Sequence, residues 1–274
     1  MEKPIIFVTN DDGIRSPGLR AAVEAVLPLG KIVVVAPTRQ GTSMGRCLRG
    51  DREQALQAIE LEVAGQAITA YHIDCSPAMA VKHGLEVLHH KRPPALIVSG
   101  INYGENLGIH ITHSGTVGAA LQGAGKGVPA LAASLQTEFQ YHFNYGDLNW
   151  HGAIHFVRLF AKVLLAQTLP FDVDLLKLDV PEDATPHTPW RLTRLSRQSY
   201  YTANIDSPTL ASRIGDAKLQ IEIDEATLEA DSDVRAVAID KVVSVTPLSL
   251  DLTARVDFDE LEGSLKRMAL EPEI

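Results

Sequence analysis

The sequence predicts an α/β protein with a Rossmann-like, doubly wound, mostly parallel sheet and a C-terminal β-rich extension. Three observations predict it. Short, unbroken runs of branched apolar residues recur, as strands buried on both faces require. Stretches with apolar residues at helical spacing separate them. Beyond Pro181 both patterns thin out and prolines interrupt the chain.

Ile5 to Val8 reads as the first buried strand, stopped by Asn10-Asp11-Asp12-Gly13. Leu19 to Leu29 follows with helical spacing (Leu19, Val23, Val26, Leu27), and Gly30 stands where a helix C′ glycine is expected. Lys31 to Ala36 is the second strand, ended by Pro37. Thr38 to Gly50 reads as a glycine-punctuated loop. Ile59 to Val63 alternates and pairs with Ala67 to Ile73 across an Ala64-Gly65-Gln66 turn. Pro77 to Leu88 is helical, with proline in the first turn. Ala95 to Val98 is a strand, Gly100 to Thr112 a loop, Ser114 to Ala124 a small-residue helix and Pro129 to Leu135 a strand. His151 to Leu165 adds a helix and Leu175 to Val180 a strand.

A soft boundary near Pro181 to Pro189 divides a core, residues 1–185, from an extension, residues 186–274. The extension offers strand-like runs at Leu219 to Ile223 and Val242 to Val245, and a helical tail from Phe258 to Met268. It carries aromatics of exposed type (Trp190, Tyr200, Tyr201) but few apolar runs. It is therefore expected to wrap the core or a second subunit rather than fold alone, and strands left open to a neighbour favour a homo-oligomer.

Bulk properties narrow the function. A formal net charge of −9 opposes binding to duplex nucleic acid or an anionic membrane. A phosphorylated small molecule stays possible if the site brings its own positive charge. Cys47 and Cys75 make no disulfide framework, and two reduced thiols fit a cytoplasmic protein. The four-residue apolar run Ile5 to Val8 is too short for an export signal.

In open α/β sheets ligands bind beyond the carboxyl ends of the strands. Asn10 to Gly13, Thr38 to Arg46 and Ser99 to His113 follow such ends, and right-handed crossovers place all three loops on one edge. Asp11 and Asp12 repel each other unless a cation neutralises them, and oxygen donors suit Mg²⁺ or Mn²⁺. The plainer alternative is that Asp11 caps the next helix and Asp12 is solvated. Asn102 and Asn106 alternate with Gly104 and Gly108, so amides can meet a metal or a phosphate. Ser114, Gly115 and Thr116 open a helix whose free N–H groups can hold an anion; the alternative is an ordinary serine cap. His110 and His113 lie in loop, so a zinc pair is not expected, while one of them could donate a proton. No P-loop and no dinucleotide-binding glycine fingerprint is present.

Together these motifs resemble the SurE family, stationary-phase survival proteins that are 5′/3′-nucleotidases. The resemblance rests on Val8-Thr9-Asn10-Asp11-Asp12-Gly13-Ile14, Val35-Ala36-Pro37 with the loop to Gly45, Val98 to Gly108, and Ser114-Gly115-Thr116-Val117. Leu178-Asp179-Val180-Pro181, Ser232 to Val237 and Val243 to Leu248 extend it over almost the whole chain. It implies one divalent metal ion per subunit, Mg or Mn, held by Asp11, Asp12 and Asn102. It implies Asp11 and Asp12 as catalytic groups, and Asn106, Ser114, Gly115 and Thr116 as phosphate-binding positions. The family's fourth ligand is usually a serine; Thr42 stands there with Ser43 beside it, and either hydroxyl could serve. A second departure is Met79-Ala80, where the family more often has Asp-Cys. The implied reaction is hydrolysis of nucleoside monophosphates, and the implied assembly is a dimer or tetramer with an exchanged C-terminal arm. Two rivals differ in class. A haloacid-dehalogenase-like phosphatase needs Asp-x-Asp, but the acids here are adjacent. A non-catalytic nucleotide-binding regulatory module would not need the Asp pair.

Overall fold

The computed structural model describes residues 2–142 and 145–269. In chain order the strands are β1 (Ile5–Thr9), β2 (Lys31–Pro37), β3 (Gln57–Val63), β4 (Gln66–Ile73), β5 (Leu96–Tyr103), β6 (Ala130–Leu135), β7 (Leu175–Val180), β8 (Trp190–Leu192), β9 (Tyr201–Asn204), β10 (Lys218–Ile221) and β11 (Val243–Leu248). The helices are α1 (Pro17–Val26), α2 (Pro77–His89), α3 (Gly115–Ala124), α4 (His151–Ala166) and α5 (Phe258–Ala269).

Nine strands form one sheet in the order β3-β4-β2-β1-β5-β6-β7-β11-β8. The six from β4 to β7 run parallel. The chain winds outward from β1 through β2 to β4, then returns to β5 and winds the other way. The reversal leaves a crevice beyond the carboxyl ends of β1 and β5, where such sheets bind ligands. The continuous apolar runs of these strands are buried on both faces: α1 and α4 cover one side around Val8, Val34 and Val98, and α2 and α3 the other around Phe7, Val35 and Ile97. The β3–β4 hairpin turns through Ala64 and Gly65, both at positive φ, the backbone a two-residue hairpin prefers. Among the described residues no helix is long and apolar enough to cross a membrane.

Several elements differ from the sequence expectation. The first helix stops at Val26 instead of Leu29, because Pro28 has no N–H to continue it and crowds the residue before it. Gly30 is not its cap. A Cβ there would lie 2.4 Å from the Pro4 carbonyl oxygen, so the glycine permits two backbone segments to touch. β5 does not end at Val98 but continues to Tyr103, with a register shift between Ser99 and Asn102 against β6. Residues 108–112 form a short 3-10 helix in place of loop.

In the extension, β11 pairs antiparallel with β7 and parallel with β8, so both join the main sheet. β9 and β10 pair with each other in a separate two-stranded ribbon. Tyr200 is not exposed: it is buried with Leu107, Leu228, Val234 and Val237 in a small core beside the main ones, and its hydroxyl donates to Glu105 Oε1 at 2.7 Å.

Candidate active site

At the crevice, a cavity of about 310 Å³ is lined by Asp11, Asp12, Thr42, Ser43, Asn102, Asn106 and Ser114 from the three expected loops. Gly115 and Thr116 lie one step behind, against Asp11. Gln40, Tyr103, Glu105, His110, His113, His142 and Tyr201 complete the walls. None of the described lining residues is a lysine or arginine.

The β1 loop is rigid by construction. The Asn10 side chain donates to the Gly13 carbonyl and accepts from the Gly13 N–H, at 3.1 and 3.2 Å. Ser16, not Asp11, caps α1, accepting from Gly18 N at 3.2 Å. This removes the plain alternative for the Asp pair. Asp11 and Asp12 are 5% and 2% exposed, so neither is solvated. Burial pushes the Asp11 carboxyl up to about 6 against the hydrogen bonds it receives. Burial, then the neighbouring Asp11 charge, raises Asp12 well above the usual carboxylate range.

The N-terminus of helix α3 packs directly against Asp11. Ser114 caps it, its hydroxyl oxygen accepting from Val117 N at 3.1 Å. The Thr116 hydroxyl and N–H both hold Asp11, so the anion at this helix N-terminus is already a carboxylate. A Cβ on Gly115 would lie 2.7 Å from both Cβ and Oδ2 of Asp11; only glycine lets the helix approach this closely.

Asp12 Oδ1 accepts from Gln40 Nε2 at 3.2 Å and Oδ2 from Tyr103 N at 3.3 Å. Gln40 is anchored in turn on the His142 carbonyl at 2.8 Å. Asn102 Nδ2 donates to the carbonyls of Tyr103 and Gly104, at 3.2 and 2.7 Å. Its Oδ1 is the group left for a ligand. Ser43 holds a left-handed backbone at φ 60, unusual for a residue with a Cβ and typical of loops that aim a side chain.

The loop carrying Asn106 is clamped from beneath. Lys177, Asp179 and Asp233 are all fully buried and ion-paired. Lys177 Nζ donates to the Asn106 carbonyl at 2.9 Å, Asp179 accepts from Asn106 N at 2.8 Å, and Asp233 accepts from Gly108 N at 3.0 Å. Burial alone would pull the Lys177 ammonium down, but the two carboxylates outweigh it and raise it. Asp233 also accepts from Ser196 N at 3.0 Å, tying the extension to the site loop.

The two histidines part company. His110 Nδ1 accepts from Tyr201 N at 3.4 Å and Nε2 meets the Ser199 hydroxyl at 3.3 Å. His113 lines the cavity, and no such bond to the extension commits it. Among the described residues, no three His, Cys, Asp or Glu side chains converge as a metal cage. The oxygen donors that line the cavity are two carboxylates, the Asn102 amide oxygen and the hydroxyls of Thr42, Ser43 and Ser114. That set fits a hard, oxygen-preferring divalent cation, and burying two adjacent carboxylates with no lysine or arginine in the lining favours one.

Fold and site together define a doubly wound α/β protein with a two-carboxylate, oxygen-donor centre at the switch point of its sheet. The family model described as survival protein SurE matches residues 6–202. The chain is 38% identical over 270 residues to a protein named 5′-nucleotidase SurE from Thermococcus gammatolerans, covering 95% of each. It is 38% identical over 270 residues to the 5′-nucleotidase SurE of Methanothrix thermoacetophila, covering 95% of this chain and 98% of that one. The crystal structure of the SurE protein from Aquifex aeolicus superposes with a TM-score of 0.75 at 28% identity, over 97% of this chain and 100% of that one. The chain belongs to the SurE family.

Proposed function

We propose that this chain is a divalent-cation-dependent 5′-nucleotidase that hydrolyses nucleoside monophosphates to nucleoside and phosphate. The observation that carries the reading is the buried Asp11–Asp12 pair facing a cavity whose described lining has no lysine or arginine. Asp11, Asp12, Asn102 and a hydroxyl of Thr42 or Ser43 would hold one Mg²⁺ or Mn²⁺ per subunit. Bound there, the cation would polarise a phosphoryl oxygen and make water a stronger nucleophile. Asp12, oriented by Gln40 and the Tyr103 N–H, holds the attacking water and takes its proton. Asn106 and Ser114 hold the phosphate for in-line attack. His113 delivers a proton to the departing nucleoside oxygen, since His110 is committed to the extension. Gly115 and Thr116 act through Asp11. The free thiols of Cys47 and Cys75 fit a cytoplasmic setting.

Phosphate release from AMP tests the reading. Activity is expected to vanish in EDTA and to return with Mg²⁺ or Mn²⁺; full activity in the chelated enzyme would sink it. At limiting Mn²⁺ the same assay should lose rate as the medium is made more acidic, because burial raises the Asp11 carboxyl and the proton it takes up competes with the cation.

Mutation separates the two hydroxyls. Thr42→Ala should weaken Mn²⁺ binding roughly tenfold and Thr42→Ser should keep it, one ligand contact being worth about 1.4 kcal/mol. Loss on Ser43→Ala alone would move the ligand by one residue.

We take residues 186–274 as the assembly element of a 1–185 core, with the β9–β10 ribbon as its exchanged part. The ribbon pairs only with itself among the described strands, and Leu210 and Ile214 near its tip are 109% and 99% exposed. Light scattering at micromolar concentration should give a dimer or tetramer, and replacing residues 206–216 with a tight turn should lower the mass. A monomer for the intact chain contradicts the exchange.

A further inference from the structure

Glu105 lies between Asn102 and Asn106 on the site loop and is 4% exposed. Among the described residues no lysine or arginine pairs with it. Its carboxyl group is held by hydroxyls and an N–H instead. The Tyr200 hydroxyl donates to Oε1 at 2.7 Å. The Tyr201 hydroxyl and the Thr137 N–H, from the loop after β6, bond the same carboxyl group. Burial pushes this carboxyl up, and the three donors work against that. A carboxylate buried without a cation is costly unless such bonds replace its water.

Two of the donors are neighbours in the chain. Within a strand, successive side chains point to opposite faces. Tyr201 begins β9 and Tyr200 stands just outside it, so both rings can turn to one carboxyl group; their centroids are 4.7 Å apart. The stretch around them runs along the site loop. A Cβ on Gly108 would lie 3.1 Å from the Gln198 carbonyl oxygen and 3.2 Å from that of Ser196, and the Ser199 hydroxyl meets His110 at 3.3 Å. On the loop itself, Glu105 follows Gly104, whose carbonyl accepts from Asn102 Nδ2 at 2.7 Å. It precedes Asn106, whose Nδ2 donates to Ser134 Oγ at 2.7 Å. A shift at Glu105 therefore reaches the Asn106 side chain directly.

We propose that Glu105 is a positioning residue, which receives the Tyr200 and Tyr201 hydroxyls and so makes the grip of Asn106 on phosphate depend on the seating of the extension. Glu105 acts through its neighbour and holds no part of the substrate itself. The inference rests on the phosphate-binding role proposed for Asn106 and adds its control by two tyrosines nearly a hundred residues away in the chain. The phosphate grip is complete only when the extension lies along the loop.

The test titrates inorganic phosphate calorimetrically into the protein with Mn²⁺, and measures KM and kcat for AMP and for ribose 5-phosphate. The variants are Glu105→Ala, Tyr200→Phe combined with Tyr201→Phe, and all three changes together. The Kd for phosphate and the KM for both esters should rise by a common factor of about ten, the scale of one hydrogen bond to a charged group. The triple variant should be no worse than Glu105→Ala, because all three changes remove one contact. Glu105→Gln, which keeps an acceptor oxygen, should restore most of the affinity. Thermal melting confirms that each variant is folded. If Glu105→Ala melts early, the tyrosine pair, which loses only two hydroxyls, decides by the same readings. Unchanged phosphate affinity in the folded tyrosine variant overturns the proposal, as do losses that add in the triple variant. A rise in KM for AMP alone also overturns it, since that would put these residues against the base. A wild type that binds phosphate yet releases none from AMP sinks the nucleotidase reading and leaves the positioning role standing.

Discussion

Asp11→Asn and Asp12→Asn should each lower kcat on AMP by about a thousandfold or more, the scale expected when a transition-state charge contact is removed, while the apo protein melts no lower than the wild type. The two halves of this result have one cause. Burial holds the Asp11 carboxyl up at about 6, from an ordinary 3.8. Its folded form therefore binds a proton more tightly than its unfolded form. That costs the apo fold roughly 3 kcal/mol above pH 6, a cost that fades as pH falls toward the unfolded value. Asparagine is neutral and nearly isosteric, and it can still meet the Thr116 hydroxyl. It removes the cost together with the charge that holds a cation. Adding Mn²⁺ should raise the melting temperature of the wild type, more at pH 8 than at pH 5, and of neither variant. A variant that keeps near-normal kcat would take that aspartate out of the site.

The second large effect belongs to a residue that touches no substrate. Lys177→Met should destabilise the fold by roughly 3–5 kcal/mol, the usual consequence of stripping the cation from a buried ion cluster. It leaves Asp179 and Asp233 buried side by side, both fully inaccessible. In a chain of this size that is a fall of about 10 °C in melting temperature. The loop of Asn106 loses its anchor at the same time, so KM for AMP should rise in whatever fraction stays folded. Differential scanning calorimetry with matched kinetics checks both. A melting temperature within a degree or two of wild type would mean that the cluster does not carry the loop.

Much of this was legible in the sequence. The strands β1, β2, β6 and β7 announce themselves as branched apolar runs because both faces of a parallel sheet are covered. The three loops that build the cavity follow from strand order and crossover hand. What stayed hidden has physical reasons. Gly100 reads as a turn, yet β5 runs through it with a shifted register that brings Asn102 to the crevice. Tyr200 looks like a surface aromatic until Glu105, nearly a hundred residues earlier, takes its hydroxyl. Gln40, Glu105, His142 and Tyr201 carry no local pattern at all, since their neighbours come from four separate segments. Ser114 and Thr116 were legible as a helix start; that the helix end faces Asp11 depends on a glycine contact no spacing reveals. The short strands β8 and β9 lack alternation because only pairing partners, not buried faces, define them.

The central claim is that Asp11 and Asp12 hold a divalent cation where β1 meets the crevice. Crystals grown with Mn²⁺ and measured at the manganese absorption edge test it most directly. The account predicts a single strong anomalous peak per subunit, bounded by Asp11, Asp12 and Asn102 Oδ1. A peak at His110 and His113 instead, or none at the aspartates at saturating Mn²⁺, would contradict it.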